Sequence, residues 1–180
     1  MKGLKLTPAI VVFILMTISQ KTNAQTLPGS DIKPQIQPKI EKLQIQSSPN
    51  QNSRSNNHNL KIYFQNGLKL IEHKEYAQAI RIFNEIIKIQ PNNQYGYFFR
   101  GFSYFRLKMF QQAKVDFDKS IQLDPSISYS YFFRGITNYA LGDRRGAIID
   151  LQTATKLFEK DGKTEMAQKS RDVIEHIRNA

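Results

Sequence analysis

The chain is 180 residues long and 40% hydrophobic, with 12 Phe, 8 Tyr and no Trp, a length that suits one domain with extensions. Its 26 basic and 15 acidic residues give a net charge of +11, spread thinly and without a Lys/Arg block, which argues against a nucleic-acid binder and leaves only weak attraction to anionic surfaces. The absence of cysteine excludes disulfides, thiolate metal sites, cysteine nucleophiles and bacterial lipid attachment.

The N-terminus reads as an export signal. Lys2 and Lys5 form a short basic region, Leu6 to Ile18 is almost wholly apolar, and the polar stretch from Ser19 ends in the small residue Ala24. That is the plan of a secretory signal peptide over residues 1–24, cleaved after Ala24, with retention as an uncleaved anchor as the alternative. The apolar run of about 13 residues falls short of the ~20 that a membrane-crossing helix needs. The expected destination is periplasmic, thylakoid-luminal or secreted.

Residues 25–59 change character. They hold Pro28, Pro34, Pro38 and Pro49 and continue through a Gln/Asn/Ser-rich stretch. Ile32, Ile36, Ile40, Leu43 and Ile45 are too sparse and too interrupted by proline to form a core, so this segment is predicted to be a disordered, partly extended tether.

Beyond Leu60 the chain repeats. Tyr97-Phe98-Phe99-Arg100-Gly101 recurs 34 residues later as Tyr131-Phe132-Phe133-Arg134-Gly135, and Ala113 and Asp116 recur as Ala147 and Asp150. One period upstream of Gly101 and Ala113 stand Gly67 and Ala79. A 34-residue period implies paired helices stacked in an array. Turns are predicted at 73–75, 107–109 and 141–143. Pro91 and Pro125 are expected to end second helices, because proline disfavours helical geometry in the residue before it. Asp161-Gly162 breaks the chain again, and Lys163 to Arg178 is predicted to be one further amphipathic helix. Its Met166, Val173, Ile174 and Ile177 would cover the open end, as a stack of this kind needs.

These residues resemble the tetratricopeptide-repeat (TPR) family, whose pattern has an aromatic at position 4, a small residue at 8, a bulky residue at 11, small residues at 20 and 27, an aromatic at 24 and proline at 32. The first repeat (60–93) supplies Tyr63, Gly67, Ala79, Phe83 and Pro91. The second (94–127) supplies Tyr97, Gly101, Ala113, Phe117 and Pro125, and the third (128–161) Tyr131, Gly135, Ala147 and Leu151, departing at Asn138 and Glu159. The layout is also similar to that of small exported TPR proteins of cyanobacteria. The resemblance implies an all-α helix-turn-helix solenoid of three repeats, with a capping helix over 162–180. It further implies a non-catalytic module for protein–protein interaction.

No catalytic constellation emerges from the residues themselves. His58, His73 and His176 are scattered without metal-ligand spacing, and the glycines of the F-R-G strings fall inside helices rather than in phosphate-binding loops. No metal, cofactor or nucleic acid is therefore expected. Arg100 and Arg134 at position 7 appear jointly with Asp116 and Asp150 at position 23. The expected role is an ion pair that braces the helices, with capture of a ligand carboxylate as the alternative.

In the family, positions 2, 5, 9, 12 and 13 of each first helix line a concave groove. Carried onto this sequence, they nominate Tyr95, Phe98, Phe102, Phe105 and Arg106 with Tyr129, Phe132, Ile136 and Tyr139 as an aromatic wall for a protein or peptide partner. Exposed apolar patches tend to mark binding surfaces; the alternatives are that these aromatics are core packed between repeats, or that the capping helix or a turn of the tether fills the groove. The clamp that grips chaperone C-terminal tails has Lys and Asn at positions 5 and 9, where this chain has Phe98, Phe102, Phe132 and Ile136. The alternative function is an adaptor held on an anionic membrane or polysaccharide by dispersed basic charge.

Overall fold

A computed structural model of the protein describes residues 51–179; the expected signal peptide and the tether up to residue 50 lie outside the described residues. The described part is all helix: α1 (Gln51–Glu72), α2 (Tyr76–Ile89), α3 (Gln94–Arg106), α4 (Phe110–Leu123), α5 (Ser128–Ala140), α6 (Arg144–Lys160) and α7 (Thr164–Asn179). The helices pack in chain order, with α3 also meeting α5 directly. This is a solenoid in which α1/α2, α3/α4 and α5/α6 are the three repeats and α7 closes the end on α6. None of the described helices is long and apolar enough to cross a membrane.

One expectation shifts at the first helix. It begins at Gln51, so the last nine residues of the expected 25–59 tether are helical. After Pro49 nothing in the sequence interrupts a helix, and adding a turn to an existing helix is far easier than nucleating one.

The hairpin inside each repeat is closed by the same hydrogen-bond pattern. The amides of Glu75, Met109 and Asp143 donate to the carbonyls of Leu70, Tyr104 and Asn138 at 2.8, 2.9 and 2.8 Å, and those of Lys74, Lys108 and Gly142 donate to Ile71, Phe105 and Tyr139. This is a Schellman ending, which satisfies otherwise orphaned carbonyls and needs a left-handed residue just past the helix. Gly142 supplies it at φ 89°, whereas Lys74 and Lys108 adopt it at 62° and 61°. A non-glycine residue is strained there. Lys108→Gly, at an exposed position, is therefore expected to stabilise the fold by about 0.5–1 kcal/mol, net of the glycine's greater freedom in the unfolded chain. Urea denaturation checks this, and no gain in midpoint would contradict it.

The mid-helix glycines mark where the two helices of a repeat come closest. A Cβ built on Gly67 would lie 2.7 Å from the Phe83 ring, and on Gly135 2.9 Å from Leu151 and 3.1 Å from the Ala147 carbonyl. Close packing there outweighs the roughly 1 kcal/mol of helix propensity that each glycine forgoes. Ala79, Phe83, Ala113, Phe117, Ala147 and Leu151 are fully buried around these contacts, as the period predicts. Asn93 caps α3 by accepting from the Gly96 amide at 2.9 Å, and Asp143 caps α6 through Gly146 at 2.8 Å.

Candidate functional site

The nine nominated residues all lie on α3 and α5, the first helices of repeats two and three. The structure does not present them as an open wall. Phe98 is 1% exposed, Phe102 2%, and Tyr95, Phe105, Tyr129, Phe132, Ile136 and Tyr139 are likewise buried. Only Arg106 is partly exposed.

The reason is visible in where the rings go. Phe98, Phe102 and Phe105 all reach forward to Phe133 on the next first helix, with centroids 6.2, 5.0 and 5.5 Å away. Phe117 of α4 stacks on the same ring at 6.1 Å. Tyr129 and Phe132 form a second group over Phe158 in the last turn of α6, at 4.9 and 6.1 Å, with the Lys163 ammonium 4.8 Å from the Tyr129 ring centroid. Residues assigned to the groove thus also form the contact between successive repeats. Phe133 and its counterpart Phe99, which meets Phe64, Phe83 and Phe98, are the hubs. Sequence reasoning passed over both, although each stands inside the repeated Y-F-F-R-G string.

Arg106 ties this face to the previous repeat. Its guanidinium sits 4.9 Å from the Tyr76 ring and 5.7 Å from the Phe102 ring. Burial pushes the Tyr76 hydroxyl up from its ordinary value, with Arg106 opposing that shift.

The expected ion pairs are present in both repeats. Arg100 donates through Nε and Nη2 to Asp116 at 2.8 and 2.6 Å, and Arg134 does the same to Asp150 at 2.8 and 2.6 Å. Each arginine also reaches back to the second helix of the preceding repeat, Arg100 to Asn84 and Arg134 to Asp118, both at 2.7 Å. Each lies beside the aromatic at position 4, Tyr97 or Tyr131, with the guanidinium carbon 5.5 Å from the ring centroid. These arginines therefore brace both their own hairpin and the step between repeats. The backward contacts had a signal in the sequence, since Asn84 and Asp118 occupy the same position of consecutive repeats.

Burial and pairing pull in opposite directions at both pairs. Burial holds the Asp116 carboxyl above its ordinary range, against the lowering effect of its bond to Arg100. At Arg134 burial acts to lower the pKa, and the bonds to Asp150 and Asp118 outweigh it and raise it. Asn138, a departure from the repeat pattern, belongs to this network: it donates to Asp150 at 3.0 Å and accepts from Lys114 at 2.6 Å. Among the described residues, no group of three or more His, Asp or Glu side chains is placed to hold a metal ion.

Comparison with known proteins agrees with this architecture. Residues 94–127 match the tetratricopeptide repeat family, and no curated protein matches the chain. Among solved structures, the TPR2B domain of yeast Sti1 in its pHsp70 complex is 19% identical, with a TM-score of 0.63, over 67% of this chain and 96% of that one. The Arabidopsis OM64 TPR domain is 22% identical, TM-score 0.61, covering 69% and 98%. PcrH in complex with the chaperone binding region of PopD is 17% identical, TM-score 0.65, covering 68% and 92%.

Proposed function

Because this chain is a tetratricopeptide-repeat protein, we propose that it is a non-catalytic scaffold that holds a segment of a protein partner along its first-helix face, outside the cytoplasm of its host. The fold is that of a protein-interaction module, and its solved neighbours include Sti1 and PcrH in complexes with partner proteins or peptides. The observation that carries the finer reading is the unbroken apolar strip Phe64, Leu68, Phe98, Phe102, Phe132 and Ile136 at positions 5 and 9 of all three repeats. All six are buried in the free chain, so a partner segment reaches this strip by opening that face on binding. Arg106 at its edge adds a cation next to aromatic rings, an arrangement favoured at binding hot spots.

The test is capture by the immobilised full chain from envelope extracts of the native host, at 0.1 and 0.5 M NaCl. Apolar recognition is expected to hold within about twofold, because salt shortens the reach of charge–charge attraction and leaves apolar contact nearly untouched. Arg106→Ala is expected to weaken capture by about 1–2 kcal/mol. Capture that collapses at 0.5 M and passes equally to anionic vesicles would replace this reading with the adaptor on a charged surface.

A further inference from the structure

The cleft between α2 and α3 carries charge that the bracing network leaves unused. It has a volume of about 390 Å³ and is lined by Arg81, Asn84, Glu85, Ile87 and Lys88 of α2 with Arg100 of α3. Three cations here meet one carboxylate, and Glu85 is already taken by Lys88 at 2.6 Å. Arg81 is exposed and, among the described residues, has no hydrogen-bond or ion-pair partner.

The repeat supplies its own comparison. One period on, between α4 and α5, the corresponding positions hold Val115, Asp118, Lys119, Ile121 and Gln122, with Arg134 opposite. Arg134 and Arg100 bind Asp150 and Asp116 in the same way. They differ at Nη1. That of Arg134 donates to the Asp118 carboxylate at 2.7 Å, whereas that of Arg100 donates at 2.7 Å to the neutral side-chain carbonyl of Asn84. A carboxylate therefore completes an arginine at this place in the stack. Where the chain supplies one, position 22 is the apolar Val115; where it does not, position 22 is a further cation, Arg81.

We propose that the α2–α3 cleft binds an acidic segment of a protein, one of whose carboxylates takes the place beside Arg100 that Asp118 takes beside Arg134. Arg100 uses three of its N–H groups and keeps one on each Nη, since a guanidinium carries five. Its planar fork suits a carboxylate better than a compact ammonium does. Arg81 and Lys88 stand seven residues apart on one helix, about 10 Å along its axis. That row is longer than a single carboxylate, and an extended chain with acidic residues three apart spans the same roughly 10 Å. Lys88 can leave Glu85 for such a ligand, because an exposed ion pair holds its partner weakly. The site adds to the first-helix strip and does not depend on it, since α2 supplies all of its lining except Arg100.

Nuclear magnetic resonance of the full chain labelled with nitrogen-15, reading the arginine Nε–H signals, tests the proposal. The probe is the uncharged-end peptide acetyl-Gly-Glu-Gly-Gly-Glu-Gly-amide at low salt. The Arg81 and Arg100 signals are expected to move saturably, while that of Arg134, whose carboxylate is built in, stays in place. Binding is expected to be lost by about 0.5 M NaCl. Arg81→Gln, at an exposed position, is expected to weaken binding by about threefold. Asn84→Asp copies the second step into the first and is expected to weaken it by at least about tenfold, because a like charge then fills the site. Val115→Arg with Asp118→Asn is expected to make Arg134 respond as Arg100 does. Equal movement of Arg100 and Arg134 in the parent chain, no saturable movement at all, or binding that survives Asn84→Asp would each overturn the proposal. Saturation by free succinate at the same concentration as the peptide would overturn the assignment to a protein segment.

Discussion

Phe133→Ala is expected to lower the stability of the folded chain by about 3–5 kcal/mol, the range for removing a buried aromatic side chain. Phe133 is 3% exposed, and the rings of Phe102, Phe132, Phe105, Phe117 and Phe98 surround it at 5.0 to 6.2 Å. These neighbours come from α3, α4 and α5, so the cavity left by truncation opens at the step between repeats two and three. No single neighbour can collapse into it. Because each repeat buries its apolar surface chiefly against the next, the loss should weaken the coupling of the third repeat and α7 to the rest. Urea denaturation followed by far-ultraviolet circular dichroism measures the effect. A cost below about 1.5 kcal/mol would mean that the hub relaxes, and that the rings around it serve something other than folding. Phe98→Ala, at a 1% exposed position touching Phe99, Phe117 and Phe133, should show the same sign. Any effect of it on partner capture has to be read per folded molecule.

Asp150→Ala is expected to cost a similar amount, about 3–5 kcal/mol, for a different reason. Asp150 is 4% exposed and accepts from Arg134 twice and from Asn138 once. Removing it leaves a guanidinium with a side chain only 21% exposed facing an empty site, paired with the outer Asp118 alone. The expense lies in the stranded charge rather than in the lost attraction, as for buried pairs generally. Asp118→Ala, which removes the more exposed partner at 47%, should cost under about 1 kcal/mol. Equal effects of the two substitutions would contradict this account. At the other pair, the raised Asp116 pKa fixes a sign. The folded state holds that proton more tightly than the unfolded state, so Asp116 alone adds stability as pH falls between its raised folded value and the usual carboxylate value.

Much of this architecture was legible in one dimension. The 34-residue period, the turns at 73–75, 107–109 and 141–143, the helix ends before Pro91 and Pro125, and the final amphipathic helix are local matters of turn chemistry and apolar spacing. The structure places them where that chemistry predicts. Arg100 with Asp116 and Arg134 with Asp150 were legible for a related reason: a repeat prints each contact twice, and paired residues appear and disappear together. The start of α1 was not, because a Gln/Asn/Ser-rich stretch without proline fits a helix extension or a tether equally well until its C-terminal turn is packed.

What the sequence by itself determined was the period, the fold class and the list of aromatic residues on the first helices. Which way those aromatics face was decided only in three dimensions. Positions 5, 9 and 12 of one helix lie within ring contact of position 6 on the next, and that distance depends on how closely the repeats stack. Glycines at position 8 set the approach within each hairpin, and the arginines at position 7 pin each repeat to the one before. The apolar wall is therefore buried where the family resemblance implied an open groove: a helical stripe records which residues share a face, and only the stacking of a second helix decides whether that face meets solvent.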